Sequence, residues 1–412
     1  MTVRATKRGA ERTSLDGLRA DVVVCGASFA GLAVARELAG SGASVLVLDR
    51  YEIGERATSA CAAPTVWLKA MGVAGSIRQE IPCMRFTTPF GSFRYRLPWS
   101  WSSFDYRALC LLLWEQCGEA RFETAKVEGR AAAPADLDAT SLPSVAPTNG
   151  ATKEGGSNGS ASPIAVRTDR GVVSAGLVVD ALGWRRVLAR SGYQPPDAPL
   201  SRGLEVHPHA PGGTDLDVWI ERSLVPRGYL WRVPAGDEQR VGAGSYEPRN
   251  HVKEPTRELA DRLDYPPVRY QGNWFPHRLR DATDDGVFFV GDSAGHCFPL
   301  SGEGIRTAFY FGIACGRELR ATLSGEQARA QALDRYAAFS ARHEPGFRRA
   351  LQLQRLIPAL PPRLLTVLLR AMSNQRVIDR SFGWYLDQAH PSFANRASHA
   401  TPSPGLSGGV CS

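Results

Sequence analysis

The chain has 412 residues, 43% of them hydrophobic and 22% charged, which is enough apolar material for a large core spread over two or three domains. The net charge is +8 and only five of the 49 basic residues are Lys, but no zinc finger, basic zipper or basic stripe accompanies the Arg excess, so no nucleic-acid partner is expected. No apolar run is long enough to span a bilayer, the N-terminal residues lack the apolar core of a secretory signal, and the eight Cys show neither CxxC pairs nor zinc spacing; a cytoplasmic protein without a metal or disulfide framework is expected.

Asp21 to Cys25 reads as a buried parallel strand, Phe29 to Ala39 as a crossover helix and Ser44 to Leu48 as a second strand ending at Asp49, which together make a βαβ unit. A helix follows over Leu109 to Cys117 and a strand over Phe122 to Arg130. Residues 131–163 are Ala, Pro, Ser, Gly and Asn with few large apolar groups, so they are expected as a disordered insertion at the tip of a β-hairpin. Strand pattern resumes at Ile164 to Thr168, Val172 to Ser174 and Leu177 to Asp180. From Leu200 to Arg280 aromatic residues alternate in strand fashion, over Leu216 to Ile220, Tyr229 to Val233 and Gln239 to Gly244, which predicts an inserted antiparallel sheet.

The chain then returns through a strand at Val287, with helices over Arg306 to Leu323 and Ala328 to Ser340. Residues 345–390 read as helical and basic, with seven Arg against two Asp. Within them Leu360 to Met372 can be read as a membrane-surface helix anchored by Arg363 and Arg370; the breadth of its apolar face favours a core helix instead. Residues 1–20 and 391–412 are expected as disordered tails.

Two segments carry the chemistry. In Gly26-Ala27-Ser28-Phe29-Ala30-Gly31, Gly26 permits a tight turn, Gly31 lets helix and strand approach, and the helix start offers free N–H groups to a pyrophosphate. Ser28 stands at the usual second-glycine position, where its hydroxyl can meet a phosphate oxygen. Small residues also cluster at ordinary strand-to-helix turns, but here Asp49 ends the next strand, where an adenosine ribose would be held. In the second segment, Asp292 follows Gly291 at a strand end and can accept from ribityl hydroxyls; the structural alternative is a helix cap. Pro299 to Ile305 then brings backbone amides to another helix start, where they can stabilise negative charge on a reduced flavin. A chain supplying both segments is expected to hold FAD in an extended pose. His296, beside Asp292, is read as structural.

These and four further segments are similar to the geranylgeranyl reductase family of FAD-dependent oxidoreductases, within the p-hydroxybenzoate-hydroxylase-like flavoproteins. Tyr229-Leu230-Trp231-Arg232-Val233-Pro234 with Gly242-Ala243-Gly244 resembles that family's YxWxFP…GxG element, with Val233 in place of Phe. Glu52-Ile53-Gly54 with Cys61-Ala62, Phe104-Asp105-Tyr106-Arg107, Val178 to Gly183 and the PLSGEGI run are also similar. The resemblance implies FAD contacts at Asp49, Cys61, Ala62, Arg107, Val127, Asp292, Gly304 and Ile305, beside Gly26, Ser28 and Gly31. It also implies an apolar tunnel for which Tyr229, Trp231 and Trp274 are candidate wall residues; core filling is the alternative for all three. Two departures stand out: Ala62-Ala63-Pro64 where the family has glycine soon after the cysteine, and Asp49 where it usually has Glu.

The expected architecture is α/β: a Rossmann-like FAD-binding domain (21–82, 104–195 and 284–340), an inserted antiparallel-sheet substrate domain (83–103 and 196–283) and C-terminal helices (341–390). The expected function is reduction of C=C bonds in a hydrophobic isoprenoid-type or lipid-like substrate by hydride from reduced flavin. A monooxygenase or halogenase acting on an aromatic or natural-product substrate is the alternative, and a non-enzymatic carrier that keeps FAD as structure is a third. No second nucleotide turn is evident, so NAD(P)H docking transiently or a ferredoxin-like protein would supply electrons. No catalytic residue is singled out, and a weak peripheral membrane contact is allowed for.

Overall fold

The computed structural model describes residues 12–57, 60–131, 162–190 and 200–395. Most of the expected insertion at 131–163, and much of both expected tails, lie outside the described residues. In chain order the elements are β1 (Arg19–Cys25), α1 (Phe29–Leu38), β2 (Val45–Asp49), β3 (Ala62–Pro64), α2 (Thr65–Ala70), β4 (Ile77–Thr88), β5 (Gly91–Phe104), α3 (Tyr106–Trp114), β6 (Arg121–Thr124), β7 (Val127–Arg130), β8 (Ile164–Thr168) and β9 (Gly171–Asp180). Then come β10 (Leu200–Val206), β11 (Asp215–Trp219), β12 (Gly228–Ala235), β13 (Glu238–Ser245), α4 (Lys253–Arg262), β14 (Gln271–Pro276), β15 (Thr283–Asp284) and β16 (Val287–Phe289). The rest is helical: α5 (Ile305–Leu323), α6 (Arg329–Ala341), α7 (Glu344–Leu356), α8 (Pro362–Ala371) and α9 (Gln375–Asp387).

The first sheet runs β15-β16-β9-β1-β2-β6, parallel except at its β15 edge, with β7 and β8 continuing antiparallel from β9. The central strand β1 is the apolar run Val22 to Cys25, buried on both faces as a parallel strand must be. Glycines set how closely the helices covering it approach one another. A Cβ at Gly312 of α5 would lie 2.7 Å from the Ala30 carbonyl oxygen, and one at Gly316 would lie 2.6 Å from Glu37 Cβ, so α5 can rest directly on α1.

The second sheet runs β14-β10-β13-β12-β11-β4-β5-β3. It is antiparallel except where β4 meets β11 in parallel, because the two strands arrive from separate excursions of the chain. It also draws in more of the first excursion than 83–103, since β3 and all of β4 and β5 belong to it. A single core cluster runs through both sheets, from Val23 and Phe309 to Trp101 and Val233.

Several elements differ from the sequence expectation for local reasons. The first α3 turn begins at Tyr106 because Asp105 caps it, accepting from the Ala108 amide at 2.8 Å. The strand expected over Phe122 to Arg130 is two strands, β6 and β7, each paired elsewhere. The two strands expected on either side of Ala175 are one, β9, since Ala175 pairs with β1 as its neighbours do. The Leu360–Met372 segment is a core helix along one edge only: in α8 just Leu365 and Leu369 are buried.

Candidate flavin site

The first turn is shaped by contacts that no side chain could survive. Gly26 has φ +113°, and a Cβ there would lie 2.3 Å from the Ala181 carbonyl oxygen, while one at Gly31 would lie 1.9 Å from the carbonyl oxygen of Gly26 itself. Strand, turn and helix therefore close on one another, and the N-terminus of α1 is left at the strand edge. Ser28 is the helix N-cap, with no side-chain bond to the helix backbone. Its hydroxyl oxygen accepts from Tyr106 Oη at 3.1 Å, which leaves its own proton for an anionic oxygen.

Asp49 is tied into the same turn. Its Oδ2 accepts from the Ala27 amide at 2.8 Å and its Oδ1 from the Tyr51 amide at 3.0 Å. Burial pushes this carboxyl above its ordinary range, and the two amides work against that. The shorter acid thus braces the phosphate turn from the neighbouring strand, and each oxygen keeps a lone pair for a ribose hydroxyl. Ala125 donates to the Asp49 carbonyl at 2.7 Å, so Val127, at the start of β7, lies close to the same end of the site. Arg107 is exposed on the first turn of α3, and Gly54 packs on it closely: a Cβ there would stand 2.8 Å from Arg107 Cα.

The second segment meets the first directly. Gly291, at φ +61°, would place a Cβ 2.9 Å from Ala30 Cβ, so the turn after β16 presses against the opening of α1. Asp180, fully buried at the end of β9, pins this junction: it accepts from the amides of Leu182 (2.9 Å) and Leu188 (2.8 Å) and from Ser293 Oγ (2.7 Å). Asp292 is different. No described group donates to its carboxylate, and Gly304 stands opposite, where a Cβ would come 3.6 Å from Oδ1. Burial lifts its pKa to about 6, against the pull of Arg280.

The Pro299–Ile305 turn is held in shape by the second sheet and the last helix. Leu300 (φ +74°) and Gly302 (φ +65°) are left-handed. Tyr246 donates to the Leu300 carbonyl at 2.6 Å, and Tyr229 to that of Ser301. Beneath the turn, Arg306 is fully buried, its Nε 2.8 Å from Glu303 Oε2 and its Nη1 on the carbonyls of Tyr385 (3.1 Å) and Leu386 (3.0 Å). Tyr385 donates to Glu303 Oε2 at 2.8 Å and lies 2.8 Å from Ser301 Oγ. The amides of Gly304 and Ile305, which open α5, have no described protein acceptor, as a site for a partly anionic ring requires.

Facing this turn is an aromatic wall whose geometry explains the GxG motif. Trp231 and Gly242 are directly paired across β12 and β13. A Cβ at Gly242 would stand 2.4 Å from Trp231 Cζ2, and one at Gly244 would stand 3.2 Å from Cζ3, so the indole lies flat on a floor of glycines that Gly203 extends. Its Nε1 donates to Glu205 Oε2 at 3.1 Å. Glu205 is buried, yet His207 (2.8 Å) and Gln271 (2.6 Å) on its other oxygen outweigh the burial and hold its carboxyl below the ordinary range. Tyr229 stands 5.7 Å from Trp231, centroid to centroid.

Trp274 does not join this wall. Strand alternation puts it on the other face of β14, 6.2 Å from the Trp184 ring and beneath the Arg202 guanidinium. Its neighbour Phe275 takes the inner place, lying against the positions where Cβ atoms of Gly302 and Gly203 would be. Cys61 has φ +50°, and its carbonyl accepts from Phe104 N (3.0 Å) and the buried Arg240 (2.8 Å). Burial pushes its thiol up to about 12, so it carries no thiolate at neutral pH. Ala62 follows in β3, paired with Ser103. His296 is fully buried, stacked on Phe311 at 3.7 Å and 3.0 Å from Ser340 Oγ, a structural placement. Sequence reasoning placed Asp180 at a strand end within the family-like Val178–Gly183 segment but gave it no role, and it missed Glu205, Phe275 and Tyr385 as site-shaping residues, for which no local signal exists.

The cradle, the open Asp292 carboxylate and the free amides of α5 are the donor and acceptor set that FAD requires, and no group of His, Cys, Asp or Glu among the described residues could hold a metal. Residues 21–136 match the family of FAD dependent oxidoreductases. The digeranylgeranylglycerophospholipid reductase of Methanococcus vannielii is 30% identical over 27% of this chain and 31% of its own length. Digeranylgeranylglycerophospholipid reductase 2 of Methanothermobacter thermautotrophicus is 25% identical over 53% of this chain and 60% of its own length. The chain thus matches less than two thirds of the length of these curated relatives. Among solved structures, a geranylgeranyl bacteriochlorophyll reductase-like protein from Thermoplasma acidophilum superposes with a TM-score of 0.70 at 18% identity, over 91% of this chain and 98% of its own. A hydroxylase and a brominase share the fold as well. Over residues 21–136 the chain is therefore similar to FAD dependent oxidoreductases, and its Rossmann-like domain with an inserted sheet is the fold of these solved structures.

Proposed function

We propose that this protein reduces C=C bonds in an isoprenoid-type or lipid-like substrate. The observation that carries the reading is the wall of Trp231, Tyr229 and Phe275 lying against the Pro299–Ile305 turn: large, apolar and held in place by buried partners. The digeranylgeranylglycerophospholipid reductases to which the chain is similar support the same chemistry. Bound and reduced, FAD would supply the hydride.

This chain's own residues then do the holding. Gly26, Ser28 and Gly31 take the pyrophosphate; Asp49, Arg107 and Val127 take the adenosine end. Asp292 would hold the ribityl hydroxyls, and Gly304, Ile305, Cys61 and Ala62 would hold the ring. Residues 21–82, 104–195 and 284–340 are assigned to flavin binding, and 83–103 with 196–283 to the substrate side. Tyr229 and Tyr246 fix the turn through the Ser301 and Leu300 carbonyls, and Glu205 keeps the Trp231 indole flat against the wall. Electrons come from NAD(P)H or a ferredoxin-like protein, at a peripheral contact with membrane where such substrates reside.

The test is anaerobic titration of the flavin with candidate donors, followed by product mass analysis with a polyprenyl substrate. Each reduced bond adds two hydrogens. An unchanged mass with fully reduced flavin refutes the proposal. A product heavier by oxygen, formed only in air, assigns the protein to the monooxygenases.

A further inference from the structure

Exposed apolar side chains are not spread evenly over this molecule. Eleven large ones are exposed among the described residues, and six of them lie on the last three helices: Leu353, Leu356, Leu364, Val367, Leu368 and Val377. Phe90, 53% exposed, is a seventh at the same place: it sits at the β4–β5 hairpin tip under the Arg363 guanidinium, 5.3 Å from its ring centroid. The hairpin is joined to α8 by the Thr88 and Thr366 hydroxyls, 2.7 Å apart.

In α8 the apolar residues fall into two sets. Leu365 and Leu369 face the sheet, and the Leu369 carbonyl accepts from the buried Tyr95 hydroxyl at 2.6 Å. Leu364, Val367 and Leu368 recur at three- and four-residue spacing, so they share a second face, and they are 45%, 62% and 43% exposed. A helix that only filled the core would have no reason to keep that face apolar.

The charge around it is mostly positive. All seven Arg between residues 345 and 390 are exposed, against Asp379 and Asp387. Arg363 and Arg370 bracket the apolar stripe, where long cationic side chains can reach anionic headgroups while the stripe enters the acyl boundary.

We infer that the outer face of α8, with Phe90, docks this protein on the surface of an anionic lipid bilayer. A protein groove would also accept an apolar stripe, but the exposed Arg on either side, seven against two Asp, call for an extended negative surface. The inference builds on the proposed lipid-like substrate and says where that substrate would be met. The strand that carries α8 leads to the site: Trp99 of β5 stacks on Tyr385, 6.2 Å between centroids, and Tyr385 braces the flavin turn.

The test is co-sedimentation of the full chain with vesicles of phosphatidylcholine, alone or mixed with phosphatidylglycerol. Binding is expected to the mixed vesicles, to weaken as salt rises, and to be marginal with phosphatidylcholine alone. Val367→Glu should weaken partitioning roughly tenfold or more. Arg363→Ser and Arg370→Ser should each weaken it about fivefold. Unchanged flavin content and far-UV circular dichroism show that these surface variants fold. Absence of binding to mixed vesicles, equal binding to neutral ones, or binding indifferent to Val367→Glu overturns the inference. So does a dimer in sedimentation equilibrium that Val367→Glu dissociates, since that assigns the face to a second copy of the chain. Turnover of detergent-dispersed substrate is measured alongside: vesicle binding without turnover sinks the proposed reaction alone, and turnover without vesicle binding sinks the docking alone.

Discussion

Replacing Gly242 by Ala adds one methyl where none fits. It would lie 2.4 and 2.5 Å from Trp231 Cζ2 and Cε2 and 2.7 Å from the Leu204 carbonyl oxygen. The indole has to lift off the strand, and as it lifts it loses its bond to Glu205. Overpacking of this kind costs about 1–3 kcal/mol, and a hydrogen bond to a buried carboxylate about 1.5–3 kcal/mol, so the variant should lose about 3–5 kcal/mol. That is a large share of a typical folding stability. Gly244→Ala is the control: its nearest contact is 3.2 Å, which a small tilt relieves, so it should cost about 1 kcal/mol or less.

The assay is urea denaturation followed by circular dichroism at a fixed excess of FAD, since bound ligand itself raises apparent stability. The same change in a Trp231→Ala background isolates the ring. There only the Leu204 clash remains, and the cost should fall by about 1–3 kcal/mol. If Gly242→Ala costs no more than Gly244→Ala, or costs the same with and without the indole, the glycine-floor reasoning is wrong. The KM for a polyprenyl substrate should rise in Gly242→Ala while flavin content holds.

Other outcomes follow from single groups. Gly26→Ala should yield a colourless protein that FAD does not restore, because the turn closes on Ala181 at 2.3 Å with φ +113°; a yellow variant of normal flavin content would refute this. Asp292 has its pKa raised to about 6 without ligand, so its proton is held more tightly in the folded protein than in the unfolded chain, and stability from this group falls as pH rises toward that value. Ribityl donors favour the ionised form, so FAD affinity, read by flavin fluorescence, should be level above about 6 and fall by up to about tenfold per pH unit below it. Asp292→Asn should bind more weakly with a flat profile, and affinity that rises on acidification would contradict the assignment. Tyr385→Phe removes two contacts beneath the flavin turn and should destabilise by about 1–3 kcal/mol and shift the flavin absorbance; an unchanged spectrum would show that the turn does not depend on α9.

Much of the flavin domain was legible in the chain because its determinants are local. The run Asp21 to Cys25, the glycines at 26 and 31 and the acid at 49 lie within one βαβ unit, where periodicity and spacing decide the outcome. The Asp292 turn was legible for the same reason, and Gly291 against Ala30 is where the two meet. The antiparallel insertion was visible as alternation, but alternation cannot say which strands pair, and the parallel contact of β4 with β11 left no trace in it. Nor does it say which of two adjacent aromatics faces in: Phe275 took the place for which Trp274 was the candidate, a choice made by one residue of register.

The chain by itself determined the chemistry of the two turns, the period of the helices and strands around them, and the GxG that accompanies the tryptophan. Tertiary structure alone decided what those pieces rest on. Glu205 reaches Trp231 across 26 residues, Tyr385 reaches Glu303 across 82, and neither spacing repeats any local pattern. The apolar face of α8 was apparent in the sequence, but whether the fold would cover it was not. Periodicity reports which side of an element avoids water, and only the packing of distant elements settles what, if anything, shields it.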